Sequence, residues 1–142
     1  MKNVCTLAGM TGLMFLSLSI PAMSQIVNGV DFTTSFSFYA GNAKMPAGAY
    51  TITQPQGEGN AVLLIQSVSG SHSAFLEIIP TEATNPHPQS DVTFNKYGST
   101  DYLSQVWVAG QNYGLQIGPT KAEQNAASKE TAVRHSITAN KR

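Results

Sequence analysis

Between Val30 and Ala40 the chain alternates with a period of two. Val30, Phe32, Phe36, Phe38 and Ala40 fall on one side with Thr34 among them; Asp31, Thr33, Ser35, Ser37 and Tyr39 fall on the other. Successive side chains of a strand point to opposite faces, so this segment buries its aromatic side and leaves the other wet. A helix would scatter the same apolar residues around its surface. The pattern predicts one strand over 30–40, and with it a protein built from sheet.

The next segment, KMPAGAYTIT (44–53), follows a break at Gly41-Asn42-Ala43-Lys44 and turns a corner. Pro46 fixes φ, Gly48 is free to take positive φ, and Tyr50 and Ile52 resume an inward row against Thr51 and Thr53. Backbone geometry accounts for Pro46, Gly48 and Tyr50 as a structural turn. A loop over 54–60 precedes the apolar run 61–68, which Ser69-Gly70-Ser71 joins to a strand over 72–80. Pro86 and Pro88 make 81–90 irregular. A second hairpin runs from Asp91 to Tyr97, through Gly98-Ser99-Thr100, to Asp101–Ala109. After Gly110-Gln111-Asn112, Tyr113 to Ile117 forms a last short strand. About seven strands without a helical period among them predict an all-β domain, an antiparallel β-sandwich or small barrel.

Beyond Gly118 the character changes. Thr120-Lys121-Ala122-Glu123 has the form of a capping box, in which the Thr and Glu side chains satisfy each other's free backbone donors. Ala122, Ala126 and Ala127 make a thin apolar stripe, so the expected helix is short and loosely docked. From Thr131 onward the expectation is a flexible tail.

The N-terminus reads as a processing signal. Met1-Lys2-Asn3 leads into an apolar run from Val4 to Ile20, and Pro21-Ala22-Met23-Ser24 offers small residues for cleavage before Gln25. No basic stop-transfer cluster follows, so no stable membrane span is expected after cleavage. The chain thus divides into a signal peptide (1–24), an antiparallel β domain (25–118), and a short helix with a basic tail (119–142). The single cysteine, Cys5, lies inside the signal, which leaves a cysteine-free mature chain. A small secreted animal domain would usually carry disulfides. No Asn-x-Ser/Thr acceptor is present either, and the two absences together point to a bacterial exported protein, periplasmic or extracellular.

Over 25–120, Lys44 and Lys96 face six carboxylates: Asp31, Glu58, Glu77, Glu82, Asp91 and Asp101. This acidic body excludes nucleic acid as a partner. The basic residues gather in 121–142, where Lys121, Lys129, Arg134, Lys141 and Arg142 outnumber Glu123 and Glu130 and read as a solvated end.

Residues with chemistry do not form a motif. His72, His87 and His135 lack ligand spacing, so no metal is assigned and each is expected to be solvated. Ser71 and Ser73 flank His72, but neighbours on a strand diverge, and there is no Gly-x-Ser-x-Gly elbow. Glu77, Glu82 and Asp91 are not placed as a catalytic pair. No phosphate loop is present. No catalytic or cofactor-binding residue is assigned, and an enzyme is not expected. The aromatic residues are the remaining lead: Tyr39, Tyr97, Tyr102 and Tyr113 are the candidate ligand-facing positions, suited to stacking on a sugar, whereas Trp107 within VWV is expected to pack.

FSFYAGNAKMPAGAYTI (36–52), FNKYGSTDYLSQVW (94–107) and GPTKAEQNAA (118–127) resemble a group of small exported bacterial proteins of unknown function. The shared pattern is FxFxxGNxxxPAGxY followed by FxxYGxxxYLxxVW. The resemblance implies export and an all-β core, and carries over no site residue. The expected role is non-catalytic, binding or structural, in the envelope or extracellular space, with an envelope component or carbohydrate as partner. One alternative is a small-ligand carrier whose barrel cavity is lined from the Phe32, Phe36 and Phe38 face. The other is a hydrolase with carboxylate or Ser/His chemistry.

Cleavage before Gln25 predicts that mass spectrometry of the protein exported from a bacterial host will show a chain beginning near that residue. Recovery of the full-length chain from the membrane fraction would contradict this.

Overall fold

The computed structural model describes residues 29–55 and 61–142. The signal segment expected over 1–24, its expected cleavage point and most of the loop over 54–60 lie outside the described residues. Among those described are eleven strands and one helix: β1 Val30–Thr34, β2 Phe38–Ala40, β3 Ala43–Met45, β4 Gly48–Thr53, β5 Val62–Ser67, β6 Ser73–Glu82, β7 Asp91–Tyr97, β8 Thr100–Trp107, β9 Tyr113–Ile117, α1 Lys121–Lys129, β10 Val133–Thr138 and β11 Asn140–Lys141. They form a mixed sheet in the order β10-β7-β8-β9-β6-β5-β4-β1-β11, with β2 joined to β8 and β3 to β2. Every pairing is antiparallel except β2 with β8.

Two places join the halves of this path. The long strand β6 pairs with β5 from Ser73 to Glu77 and with β9 from Ile78 to Glu82. At the far ends, β10 lies on β7 and β11 on β1, and only the buried Ala139 separates β10 from β11. The first and last strands of the path are therefore neighbours along the chain. The tail expected to be flexible is instead sheet. Its own residues alternate weakly, so only the open ladders of β7 and β1 reveal where it goes.

The strand expected over 30–40 is two strands. A bend at Ser35-Phe36-Ser37 interrupts it, and Thr34 Oγ1 donates to the Phe36 carbonyl across the bend at 2.9 Å. β1 then pairs with β4, while β2 crosses to the other half and meets β8 at Tyr39↔Tyr102. Phe32, Phe36 and Phe38 nevertheless stay on one side. Phe38 packs at 5.2 Å from both Tyr50 and Phe94, Phe32 lies 5.7 Å from Tyr50, and Phe36 meets Phe94 edge-on at 5.3 Å. These rings fill the centre of the core, so the face that a carrier would use as a cavity lining is occupied by its own side chains.

Gly41-Asn42 closes the β2–β3 hairpin and Gly98-Ser99 the β7–β8 hairpin, each as a two-residue loop. Gly41 has φ +60° and Gly98 φ +59°, while their partners keep negative φ, the pattern of a type II′ turn with glycine first. Gly48 opens β4 with positive φ, +156°, a backbone conformation that residues with side chains rarely adopt, although a Cβ there would meet nothing within 4 Å. Gly41 is the other positive-φ residue of this region. Tyr50 is only 1 % exposed, and its hydroxyl donates to the Pro46 carbonyl, so the ring ties the exposed corner to the core.

Tyr50→Ala should cost about 3–5 kcal/mol through the cavity left among the rings. Tyr50→Phe, which loses only the bond to Pro46, should cost about 1 kcal/mol. Urea unfolding of the two variants checks the order; equal costs would mean the ring contributes little packing.

Candidate functional site

The outer face of β7, β8 and β9 gathers most of the polar and aromatic residues singled out above. Its geometry starts from a bulge. Thr93 pairs with Gln105 and Phe94 with Leu103, which leaves Ser104 as an extra residue in β8. A bulge shifts the alternation by one. Tyr102 and Ser104 point outward before it, and Gln105 and Trp107 after it, while Leu103 and Val106 enter the core. The neighbour of β8 changes at the same place. The β8–β9 ladder covers Gln105 to Trp107, and the bridge to β2 is at Tyr102, so Leu103 and Ser104 fall between two ladders.

Helix α1 covers this gap. Thr120 caps it, accepting from the Glu123 backbone amide at 3.2 Å, as the capping motif predicts. The reciprocal half of the box is absent. Glu123 turns its side chain away from the Thr120 amide and into the sheet, where Oε1 accepts from Asn95 Nδ2 at 3.2 Å. It is the one buried residue of the helix, 6 % exposed. Asn95 also donates to Ser104 Oγ at 3.2 Å, which links helix, β7 and bulge. Beneath α1 lies a cleft of about 210 Å³ lined by Asn95, Tyr97, Ser104, Gln116, Glu123 and Gln124, with Ile117, Pro119 and Ala127 as its apolar part. Burial pushes the Glu123 carboxyl above its ordinary value, and the Asn95 amide partly opposes this.

Three of the four candidate tyrosines meet at this place. Tyr39 lies flat on Tyr102, ring centroids 5.4 Å apart, and Tyr97 meets Tyr102 edge-on at 5.9 Å. Burial raises the Tyr97 and Tyr102 hydroxyls above their usual range; Glu123 adds to both, and Tyr39 to Tyr102. Both therefore remain protonated donors. Tyr113 stands apart on β9, opposite Glu82. Asn95, Ser104, Gln116 and Gln124 carry no signal in the sequence, because isolated amides and hydroxyls form no motif, and Glu123 reads there only as part of a cap.

The histidines are not simply solvated. The His87 imidazole stacks on the Trp107 indole at 4.9 Å and 12°, and its Nδ1 lies 2.9 Å from the Gln89 carbonyl and 3.3 Å from Asp91. Gly114, paired with Trp107 across the ladder, lies against the indole, where a Cβ would come within 2.7 Å of the ring. His135, on β10, lies 2.6 Å from the buried Asp101 and stacks on Phe94. Ser71 Oγ does reach His72 Nδ1, at 2.9 Å, because the pair lies in the turn before β6 and not on the strand. Among the described residues His72 has no carboxylate partner, so the pair lacks the third member of a triad. Glu82, at the end of β6, is exposed and not joined to His87 or Asp91. No group of three or more His, Cys, Asp or Glu that would hold a metal occurs among the described residues. No described helix is long and apolar enough to cross a membrane.

No family model, curated protein or solved structure matches the chain.

The raised Glu123 carboxyl has a linked effect on stability. Its folded pKa exceeds the unfolded one, so its contribution is complete below the ordinary value of 4.5 and is lost as pH rises through the folded value. Asp91, raised chiefly by burial, acts in the same direction. Stability measured against pH should therefore fall less steeply for Glu123→Gln than for the parent across that window. Identical slopes would show that Glu123 is not shifted.

Proposed function

We propose that this chain is an exported, non-catalytic β-domain protein that binds a small, non-anionic polar ligand in the cleft beneath α1. The observation that carries the reading is the convergence of amides, a hydroxyl, a carboxyl and a tyrosine ring from four separate elements on one cleft with an apolar wall. Polar binding sites have this composition: an aromatic or apolar wall with a few placed hydrogen-bonding groups. No lysine, arginine or histidine lines the cleft, which disfavours an anion.

Export rests on the apolar run at 4–20 and the small residues before Gln25. The resemblance to small exported bacterial proteins supports the same location, periplasmic or extracellular. The non-catalytic reading is supported by the lone carboxyl of the cleft, since glycoside hydrolysis uses two. We read the sheet as a small barrel, supported by the single residue between its two end strands and by a core that draws on both halves. In this reading the interior holds the fold together and binding is left to the outer face.

Amide chemical shifts of labelled protein, followed during titration with glucose, glycerol, ethanolamine and acetate, test the assignment. At least one of the first three should shift Asn95, Tyr97 and Gln116, acetate should not, and Tyr97→Ala should remove the response. Shifts confined to other surfaces, or none at all, would overturn it.

A further inference from the structure

The bonding of Glu123 narrows the ligand. Its Oε1 is engaged by Asn95, and Oε2 has no hydrogen-bond partner among the described residues. No fully buried polar side-chain atom among them lacks a partner, so Oε2 keeps contact with solvent, and the space that Glu123 lines is this cleft. The result is a side chain that is more than nine-tenths buried, with one oxygen held and the other left for a half-open cleft. No basic side chain lines that space to balance it. Lys121 and Lys129, on the same helix, are exposed.

Resting on the binding reading above, we infer that the cleft takes a small organic ammonium compound, its nitrogen seated on Glu123 Oε2 beside the Tyr97 ring. An ionised carboxylate in a low-dielectric cleft is costly alone and strongly attractive to a cation that enters with it. An ammonium offers three donors, matching the open carboxyl oxygen and the neighbouring amide oxygens of Gln116 and Gln124. Tyr97 adds a ring for a cation–π contact, with Tyr102 behind it. A neutral polyol also donates hydrogen bonds, but it leaves the buried charge uncompensated. The volume of about 210 Å³ restricts the ligand to a small molecule or the head of one.

The charge coupling gives the site a pH dependence. The groups facing Glu123 are Tyr97 from β7 and Tyr102 from β8, both protonated over the useful range, with Arg134 of β10 acting on Tyr97. Glu123 is thus the group whose ionisation binding requires. Acidification through its folded pKa should release the ligand.

Ethanolamine, in its ammonium form, and its neutral analogue ethylene glycol are the probes, with amide shifts of Asn95, Tyr97 and Glu123 as the readout. Ethanolamine should bind and ethylene glycol should not. Glu123→Gln, nearly the same shape, should weaken ethanolamine by about tenfold or more, as loss of a charged hydrogen-bond partner does. The parent protein alone, titrated at falling pH, should lose ethanolamine without any substitution. If ethylene glycol or glucose shifts the same amides as strongly, or if binding is indifferent to both Glu123→Gln and pH, the cation assignment fails while the cleft remains a binding site. If no probe shifts these amides, both readings fail.

Discussion

Four rings from four strands interlock at the centre of this protein. Phe32 of β1 and Tyr50 of β4 belong to one half of the sheet, Phe38 of β2 and Phe94 of β7 to the other. The contacts between the halves are Phe38–Tyr50 at 5.2 Å, Phe32–Phe38 at 6.2 Å and Phe32–Phe94 at 6.3 Å. Aromatic side chains bury more area than any others, and tilted pairs add directional preference to that burial. Had the strand over 30–40 stayed unbroken, Phe32 and Phe38 would have remained in one half. The bend at 35–37 is what lets one short segment supply rings to both. The rest follows: β2 reaches β8, the β8 ladder is divided, and the gap filled by α1 exists.

The helix shows how far a polar group can serve as an anchor. Its alanines are too small to bury much area, so docking falls to Glu123, whose carboxyl reaches Asn95. Such a contact is expensive to bury and modest in net gain. Helix stability in isolation would also be marginal at nine residues. The flanking strands β9 and β10 confine it, since both are paired into the sheet, and the Glu130 carboxylate sits against the Gly98 turn at the other end. A covering element held by its ends leaves room beneath it. An element packed by a broad apolar face would not, and the cleft depends on that difference.

A second polar pairing does structural work at the opposite end of β7 and β8. His87 stacks on Trp107 with its Nδ1 beside Asp91, and this folds the proline-rich loop over the outer face. At the sheet edge, burial would raise the Asp31 carboxyl, but Arg142 and Thr51 outweigh it and hold it below its ordinary value. Polar groups in this molecule therefore close edges and loops, while the apolar interior carries the sheet itself.

How much of this was written in local sequence can be judged element by element. The strands 48–53, 62–67, 73–82, 91–97, 100–107 and 113–117 declared themselves through alternation and turn residues, because period and φ are properties of neighbours along the chain. Tyr39, Tyr97 and Tyr102 were also legible as a group of candidates, and Thr120 as a cap. The bend at Ser35, the bulge at Ser104, the strands over 133–141 and the inward turn of Glu123 were not. Each depends on a partner distant in sequence: a core that needs rings from two directions, a ladder that loses its neighbour, open edges on β7 and β1, and an asparagine 28 residues away. By itself the sequence determined an all-β chain and most of its turns. Only the tertiary structure decided which edges met and which carboxyl was buried, because pairing and desolvation are set by what lies across space.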